Sequence, residues 1–472
     1  MLFPTVEYGI FFLGAFAAAW ASRPYPRLHK AVLGAASCGF YAFWDWRFVP
    51  LLIGISMLAA TVARALQVVG PSSTRKWLLR SGVGLCLATL GLFKYVAFAT
   101  ASLVGALELL GLNPGPIRVP EIALPMGVSF FVFHAISLMV DAWRGQIPVR
   151  VRPLDALLYV AFFPQLVAGP ILRASRFLPQ LTASRPPATI DTALALELIL
   201  TGLVKKVLIA QVLASRLVDP VFEVPAGHSG LEVLLAVYGY AAQIYCDFSG
   251  YSDLAIGSAL LLGYQIPVNF DSPYRATSPQ EFWRRWHISL SSWLRDYLFI
   301  PLGGSRHGQA RTLLNVGITM LLGGLWHGAA WTFVAWGAFH GAGLITHRLW
   351  SEAKAPAIRR LRAHAGWRLA AGVLTFHFVC LGWILFRSTS LAAAGDLLAT
   401  LAGGGLRYSL GAGAVLAMGV GLGGQLLPAV GAPRLQFSRL PLAAQGALLA
   451  SAVLLIEALG PRGIAPFIYF RF

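Results

Sequence analysis

Apolar stretches nearly or wholly free of formal charge recur from one end of this 472-residue sequence to the other. Val6–Trp20, Phe48–Ala63, Ser81–Leu92, Gly230–Tyr245 and Leu442–Leu459 are the clearest. A helix needs about 20 mostly apolar residues to cross a bilayer. Several of these runs reach that length once polar and aromatic flanks are counted. A large soluble enzyme with an unusually apolar core is the competing reading, and it fails on surface. Soluble domains carry about 25% charged residues; this chain carries 12%, against 57% hydrophobic residues and a mean hydropathy of +0.68. Backbone groups in lipid must be satisfied internally, so spanning elements are helices or closed barrels, and the alternating pattern of a barrel is absent. The expectation is an all-α integral membrane fold of about 9–12 transmembrane helices plus re-entrant or interfacial helices, with 1–472 forming a single polytopic domain.

The formal charge of +18 does not point to nucleic acid. Its basic residues cluster between apolar runs, at Arg23–Lys30, Arg64–Arg80, Arg144–Arg152, Arg173–Arg185, Arg284–Arg311 and His347–Arg368. Loops near Trp44, Asn113 and Phe222 are far less basic, which is the positive-inside pattern. The N-terminus is therefore expected outside and the first basic loop in the cytoplasm. Met1–Gly9 lacks the basic n-region of a cleavable signal. Phe162–Ile171 is short and proline-broken and suits a re-entrant segment better than a span. Cys38, Cys86, Cys246 and Cys380 lie scattered in apolar sequence without metal-like spacing and read as small core residues. By eye the chain shows no two-fold repeat of the kind that builds many transporters.

Between Tyr264 and Gly308 the chain is too polar to span lipid. Ser278-Pro279-Gln280-Glu281 predicts a helix start: Ser278 caps, Pro279 fits the first turn and Glu281 completes a capping box. The helix is expected to run on through Phe282-Trp283-Arg284-Arg285-Trp286-His287. Its arginines suit anchoring on anionic lipid as well as a cytoplasmic funnel.

Ionisable residues within apolar segments are costly and point to function by default. His134, His327, His340 and His377 qualify. His327 stands in Gly323-Gly324-Leu325-Trp326-His327-Gly328, where small residues permit close approach of a backbone or substrate. It reads equally as a core histidine bonded to a neighbouring helix or as a neutral imidazole able to serve as general base. His134 and His377, in aromatic-rich helices, read as structural. Asp247 and Asp253 end an apolar run, where they suit cation binding, capping, or orienting a histidine. No GxSxG elbow, P-loop or HExxH occurs. Gly419–Gly424 formally matches GxGxxG, but within an apolar run it reads as close helix packing. No His/acid pair has ligand spacing on one helix, so no metal is expected.

These residues together resemble the membrane-bound O-acyltransferase family, in particular its alginate O-acetylase-like branch. The resemblance runs nearly end to end. It takes in Phe43–Phe48, Phe93-Lys94-Tyr95, Leu124–Phe131 leading to Asp141 and Arg144-Gly145, and Phe163–Ile171. Its most specific block is Gln243–Gly308, with Asp247–Asp253 and Phe282–Ser291 inside it. Trp326-His327-Gly328 matches the family's histidine motif. The C-terminal Phe467–Phe472 also fits, with Arg471 where a neutral polar residue is expected.

The resemblance implies a multi-helix fold with a funnel or tunnel, with His327 as the essential catalytic histidine and His287 as the second. O-acyl transfer needs a thioester donor, a hydroxyl acceptor and a base. His327 is expected to take the hydroxyl proton, with His287 or the Trp286 indole holding the donor or the oxyanion. Trp326, Asp247 and Asp253 are further candidates for substrate binding. Arg275, Arg284, Arg285 and Arg295 are candidates for the phosphates of acetyl-CoA or another acyl thioester, with no permanently bound cofactor. The implied setting is a cell inner membrane, with the bilayer, an acyl-CoA or acyl carrier, periplasmic or secreted acetyltransferases or export proteins, and an exported polysaccharide as partners. Teichoic acid, peptidoglycan or a lipid-linked saccharide is the alternative acceptor. A transporter or flippase without bond chemistry is the rival class, and a pure scaffold of an export complex is a third.

Overall fold

A computed structural model describes residues 5–112, 115, 117–182, 190–409, 411–425 and 440–459. Its regular structure is helical, and no strand occurs among the described residues. Contacts group the chain into two compact units, Met1–Asp191 with Ser258–Pro267, and Thr192–Gly257 with Val268–Phe472.

The first unit holds α1 (Val6–Ser22), α2 (Pro26–Asp45), α3 (Val49–Val68), α4 (Ser73–Leu90), α5 (Val96–Leu109), α6 (Val128–Trp143), α7 (Pro153–Ala161) and α8 (Ala174–Thr182). Pro26–Val68, Ser73–Leu109 and, in the second unit, Trp367–Arg387 are long and apolar enough to cross a membrane; Val6–Ser22, Val128–Trp143, Leu391–Gly403 and Ala412–Gly423 are shorter apolar helices. The chain is thus an all-α integral membrane protein. Within the first of these stretches α2 and α3, twenty residues each, are separated by a 3₁₀ turn at Trp46–Phe48. Asp45 leaves helical geometry there and accepts the Arg47 N–H at 3.0 Å.

α6 packs on α3 and α4, and His134 on it is fully buried. Residues 162–171 are not helical, yet every one is buried. Irregular backbone is tolerated at membrane depth only where protein covers it and completes its hydrogen bonds. Here Tyr159 donates to the Leu172 carbonyl (2.9 Å), Gln165 to the Tyr159 carbonyl (2.9 Å), and the Leu172 N–H to His134 Nε2 (2.9 Å). His134 is therefore a structural fastener of this loop. At the end of α3, Arg64 shares a cleft with Arg150, and Arg75 donates to the Trp143 carbonyl at 2.7 Å. Two of the predicted basic clusters thus meet on one side of this unit.

The second unit holds α9 (Thr192–Leu203), α10 (Gln211–Leu213), α11 (Asp219–Glu223), α12 (Gly230–Leu261), α13 (Pro279–Arg285), α14 (Ile288–Leu294), α15 (Gly308–His327), α16 (Trp331–Glu352), α17 (Pro356–Ala363), α18 (Trp367–Arg387), α19 (Leu391–Gly403), α20 (Ala412–Gly423) and α21 (Leu442–Leu459). The last turn of α12 belongs to the first unit. Wider π-helical turns follow α9 at Val204–Ala210 and α14 at Arg295–Phe299. Of the GxGxxG glycines, Gly421 alone is tightly packed, against Ala242, Cys246 and Ile209. All four cysteines are free thiols, and Cys86, Cys246 and Cys380 are buried.

α15 and α16 pack against each other over an extended seam. Their seam is built from glycines: a Cβ at Gly324 would run into the Phe333 carbonyl, and one at Gly337 would lie 2.5 Å from the Met320 carbonyl. Without side chains there the two backbones approach, as in other membrane helix pairs built on small residues. Gly337→Ala is expected to lower stability by about 1–3 kcal/mol through overpacking. Gly317→Ala, where nothing lies within 4 Å, is expected to be neutral. Thermal unfolding of the two variants in detergent checks the contrast.

Candidate active site

α13 begins where the sequence indicates. Ser278 accepts the Glu281 N–H at 3.1 Å, with Pro279 in the first turn. The reciprocal bond lands one residue further back than a standard capping box: Glu281 accepts the Thr277 N–H (2.9 Å) and hydroxyl (2.8 Å). Burial alone would raise the Glu281 carboxyl, but these Thr277 bonds and Arg285 outweigh it and hold the group below its ordinary range. The helix does not run on through Trp286 and His287. It stops at Arg285, because His287 adopts the left-handed region (φ 43°, ψ 54°) and caps α14 instead.

That turn is pinned by the segment before α13. Asn269 accepts the Ile288 N–H on its carbonyl at 2.9 Å, and the Asp271 N–H donates to the Arg285 carbonyl at 3.0 Å. The Asn269 side-chain oxygen accepts the Ser289 N–H (3.1 Å) and hydroxyl (2.8 Å) and faces His287 Nδ1 at 3.1 Å. His287 is wholly buried, and burial depresses its affinity for a proton.

His327 is the last residue of α15, 5% exposed, directly beyond the glycine seam. Its ring lies 5.1 Å from Trp326, 5.0 Å from Trp336 and 5.3 Å from Phe386. Trp326 in turn lies 6.1 Å from the His287 ring. The two histidines, 40 residues apart by their numbers, are therefore bridged by one indole. Trp286 is buried among adjoining rings, 5.6 Å from Phe282, 5.0 Å from Phe270 and 4.9 Å from Trp383, which itself lies 5.5 Å from Phe386. His340 touches the same surroundings through Trp336 at 4.7 Å. His377 is engaged by Tyr238 (2.7 Å) and the Val373 carbonyl (2.8 Å), a structural role.

Each of the two acids has a lysine partner. Asp247 pairs with the buried Lys206, and Asp253 with Lys205 at 2.8 Å. A carboxylate buried in an apolar bundle takes a cation when one is in reach, and His287 is held by Asn269 instead. Neither lysine stood out in the sequence reading, although two adjacent cations inside the otherwise apolar stretch 198–210 were a signal. Asn269, a lone polar residue between Val268 and Phe270, gave a weaker one.

Among the arginines, Arg285 is tied to Glu281 (3.0 Å) and Asp271 (3.2 Å), and Arg295 to Asp296 (2.7 Å). Arg284 and Arg275 are exposed, with no ion pair among the described residues. The C-terminal block Phe467–Phe472, with Arg471, lies outside the described residues.

The membrane-bound O-acyltransferase family profile matches residues 130–389, more than half of the chain and all of the site above. The chain belongs to the membrane-bound O-acyltransferase family. It is 39% identical over 405 residues to the probable alginate O-acetylase AlgI of Azotobacter vinelandii, covering 85% of this chain and 78% of that protein. It is 35% identical to the peptidoglycan O-acetyltransferase of Helicobacter pylori, over 83% of this chain and 77% of that one. It is 31% identical to the teichoic acid D-alanyltransferase of Streptococcus thermophilus, over 55% and 68%. The protein is a membrane-bound acyltransferase.

Removing one partner of a buried ion pair leaves the other uncompensated and costs about 3–5 kcal/mol, whereas replacing both with apolar groups is often near neutral. Lys206→Met is therefore expected to destabilise strongly, and Lys206→Met with Asp247→Leu to recover most of the loss. Melting of the purified single and double variants decides it.

Proposed function

We propose that this acyltransferase moves an acetyl group from a cytoplasmic thioester, of the acetyl-CoA class, across the inner membrane toward hydroxyls of an exported polysaccharide. The observation that carries the reading is the placement of His327. It ends a helix locked by a glycine seam, is screened from solvent by Trp326, Trp336 and Phe386, and is one indole away from a second buried histidine.

An imidazole in apolar surroundings favours its neutral form, which is the form a general base requires. In this reading His327 takes the proton of the attacking hydroxyl as oxygen bonds to the acyl carbon. The carbon–sulfur bond then breaks and the thiol leaves with a proton. General base catalysis typically contributes roughly 10²–10⁴-fold. Periplasmic or secreted proteins pass the group onward, and the N-terminus lies outside. Peptidoglycan or teichoic acid as acceptor is the second reading, favoured by the relatives named for those polymers.

With protein levels in the membrane matched, His327→Ala is expected to abolish acetate in the host's extracellular polysaccharide while polymer export continues. Unchanged acetate would rule out this acceptor or this base. An unacylated polymer trapped inside the cell would favour transport.

Arg284, like Arg275, is exposed without an ion pair among the described residues and so open to donor phosphates. Arg284→Ala is expected to raise the KM for acetyl-CoA several-fold and flatten its salt dependence, since a phosphate contact is charge-assisted. Arg285→Ala is expected instead to lower stability by loosening α13. Initial rates across a salt series, beside melting curves, separate the two.

A further inference from the structure

His287 is held by an acceptor whose identity is fixed independently. The Ser289 backbone N–H can only donate, so the Asn269 side-chain atom 3.1 Å from it is the amide oxygen. The same oxygen takes the Ser289 hydroxyl at 2.8 Å, and the amide nitrogen faces Ser252 Oγ at 3.4 Å. His287 Nδ1, 3.1 Å from that oxygen, must therefore carry a proton. A neutral imidazole has one N–H and one lone pair. The lone pair is then on Nε2, which is buried and has no hydrogen-bond partner among the described residues. Leaving such an atom unsatisfied is unfavourable.

Around the ring stand Phe248 at 4.6 Å on α12 and Trp326 at 6.1 Å on α15. The titratable groups on those elements nearby are Asp247, taken by Lys206, and His327, on the far side of Trp326. Burial is the cause that holds the imidazole neutral.

We infer that Asn269 and Ser289 are positioning residues that fix His287 as the Nδ1–H tautomer, making Nε2 a hydrogen-bond acceptor for a donor group of the substrate. Two substrate groups have that chemistry: a hydroxyl of a saccharide acceptor beside the attacking one, and an amide N–H of the thioester's arm. An oxyanion does not, because neutral His287 has no proton on Nε2 to offer it. Of the two roles expected for His287, holding the donor or the oxyanion, this reading takes the first or its counterpart on the acceptor. The assignment rests on the acyl-transfer reading above.

The test uses the full-length protein with three variants, Asn269→Leu, Asn269→Asp and Ser289→Ala. Acetyl-CoA affinity is measured directly and acetyl transfer to the host's polysaccharide in membranes. Asn269→Leu keeps the bulk and removes the acceptor; transfer is expected to fall tenfold or more. Asn269→Asp keeps the acceptor and is expected to stay within about threefold of wild type, with Ser289→Ala between them. Lost transfer with acetyl-CoA affinity intact assigns Nε2 to the saccharide hydroxyl. Lost acetyl-CoA affinity assigns it to the thioester arm. If Asp proves as damaging as Leu, or if Leu costs nothing, Asn269 only fastens a loop and the inference is overturned. Should Asn269→Leu fail to fold, the ordering of Ser289→Ala below wild type and the retention by Asn269→Asp still decide. Wild-type membranes that do not turn over acetyl-CoA would remove the acyl-transfer reading itself, a failure visible before any variant is compared.

Discussion

A polar group that this chain carries into apolar surroundings costs free energy unless it finds a partner inside the protein. That requirement organises both units. In the first, an irregular buried loop is held by Tyr159, Gln165 and His134, each meeting a backbone group that no helix satisfies. In the second, two lysines of one helix face two carboxylates of another, and a histidine turn is fastened by a single asparagine. Hydrophobic burial drives none of this selectively in lipid, where neighbouring tails are as apolar as leucine. What distinguishes one arrangement from another is which polar groups are left over.

The candidate site depends on the same accounting in reverse. Glycines at the seam of α15 and α16 remove side chains so that backbones meet, and His327 emerges where that contact ends. The Trp326 indole separates it from His287, so two basic nitrogens share a buried region without either displacing the other's support. The left-handed backbone at His287 is a conformation that non-glycine residues seldom adopt. Its cost is met by the bonds that Asn269 makes to His287, Ile288 and Ser289, all formed on folding.

Much of this was legible in the sequence where the signal is local. Ser278 and Pro279 announced the start of α13, Pro164 and Pro170 announced a segment that is not a helix, and Trp326-His327-Gly328 pointed to the histidine. Non-local pairing was not legible. The helical pattern of 279–287 hides the break at His287, because that break is imposed by Asn269, eighteen residues earlier. The partners of Asp247 and Asp253 were not legible because their lysines lie 41 and 48 residues away, on a different helix. Only packing decides which charges meet, and packing is not written at any one position.

The lysine pair has a consequence for motion. Lys205 and Lys206 are neighbours in the chain, yet their carboxylates sit six residues apart on α12, about 9 Å along its axis. Between them Gly250 and Gly202 bring the backbones together, each lying so close that a Cβ would meet the other's carbonyl at 2.8 and 2.7 Å. One ion pair alone would let the helices pivot about it. Two, spread along the axis on either side of a backbone contact, fix both register and rotation. A slip of a single turn would break both ion pairs at once. This part of the molecule therefore serves as a rigid frame, and any movement that accompanies turnover has to arise in other elements.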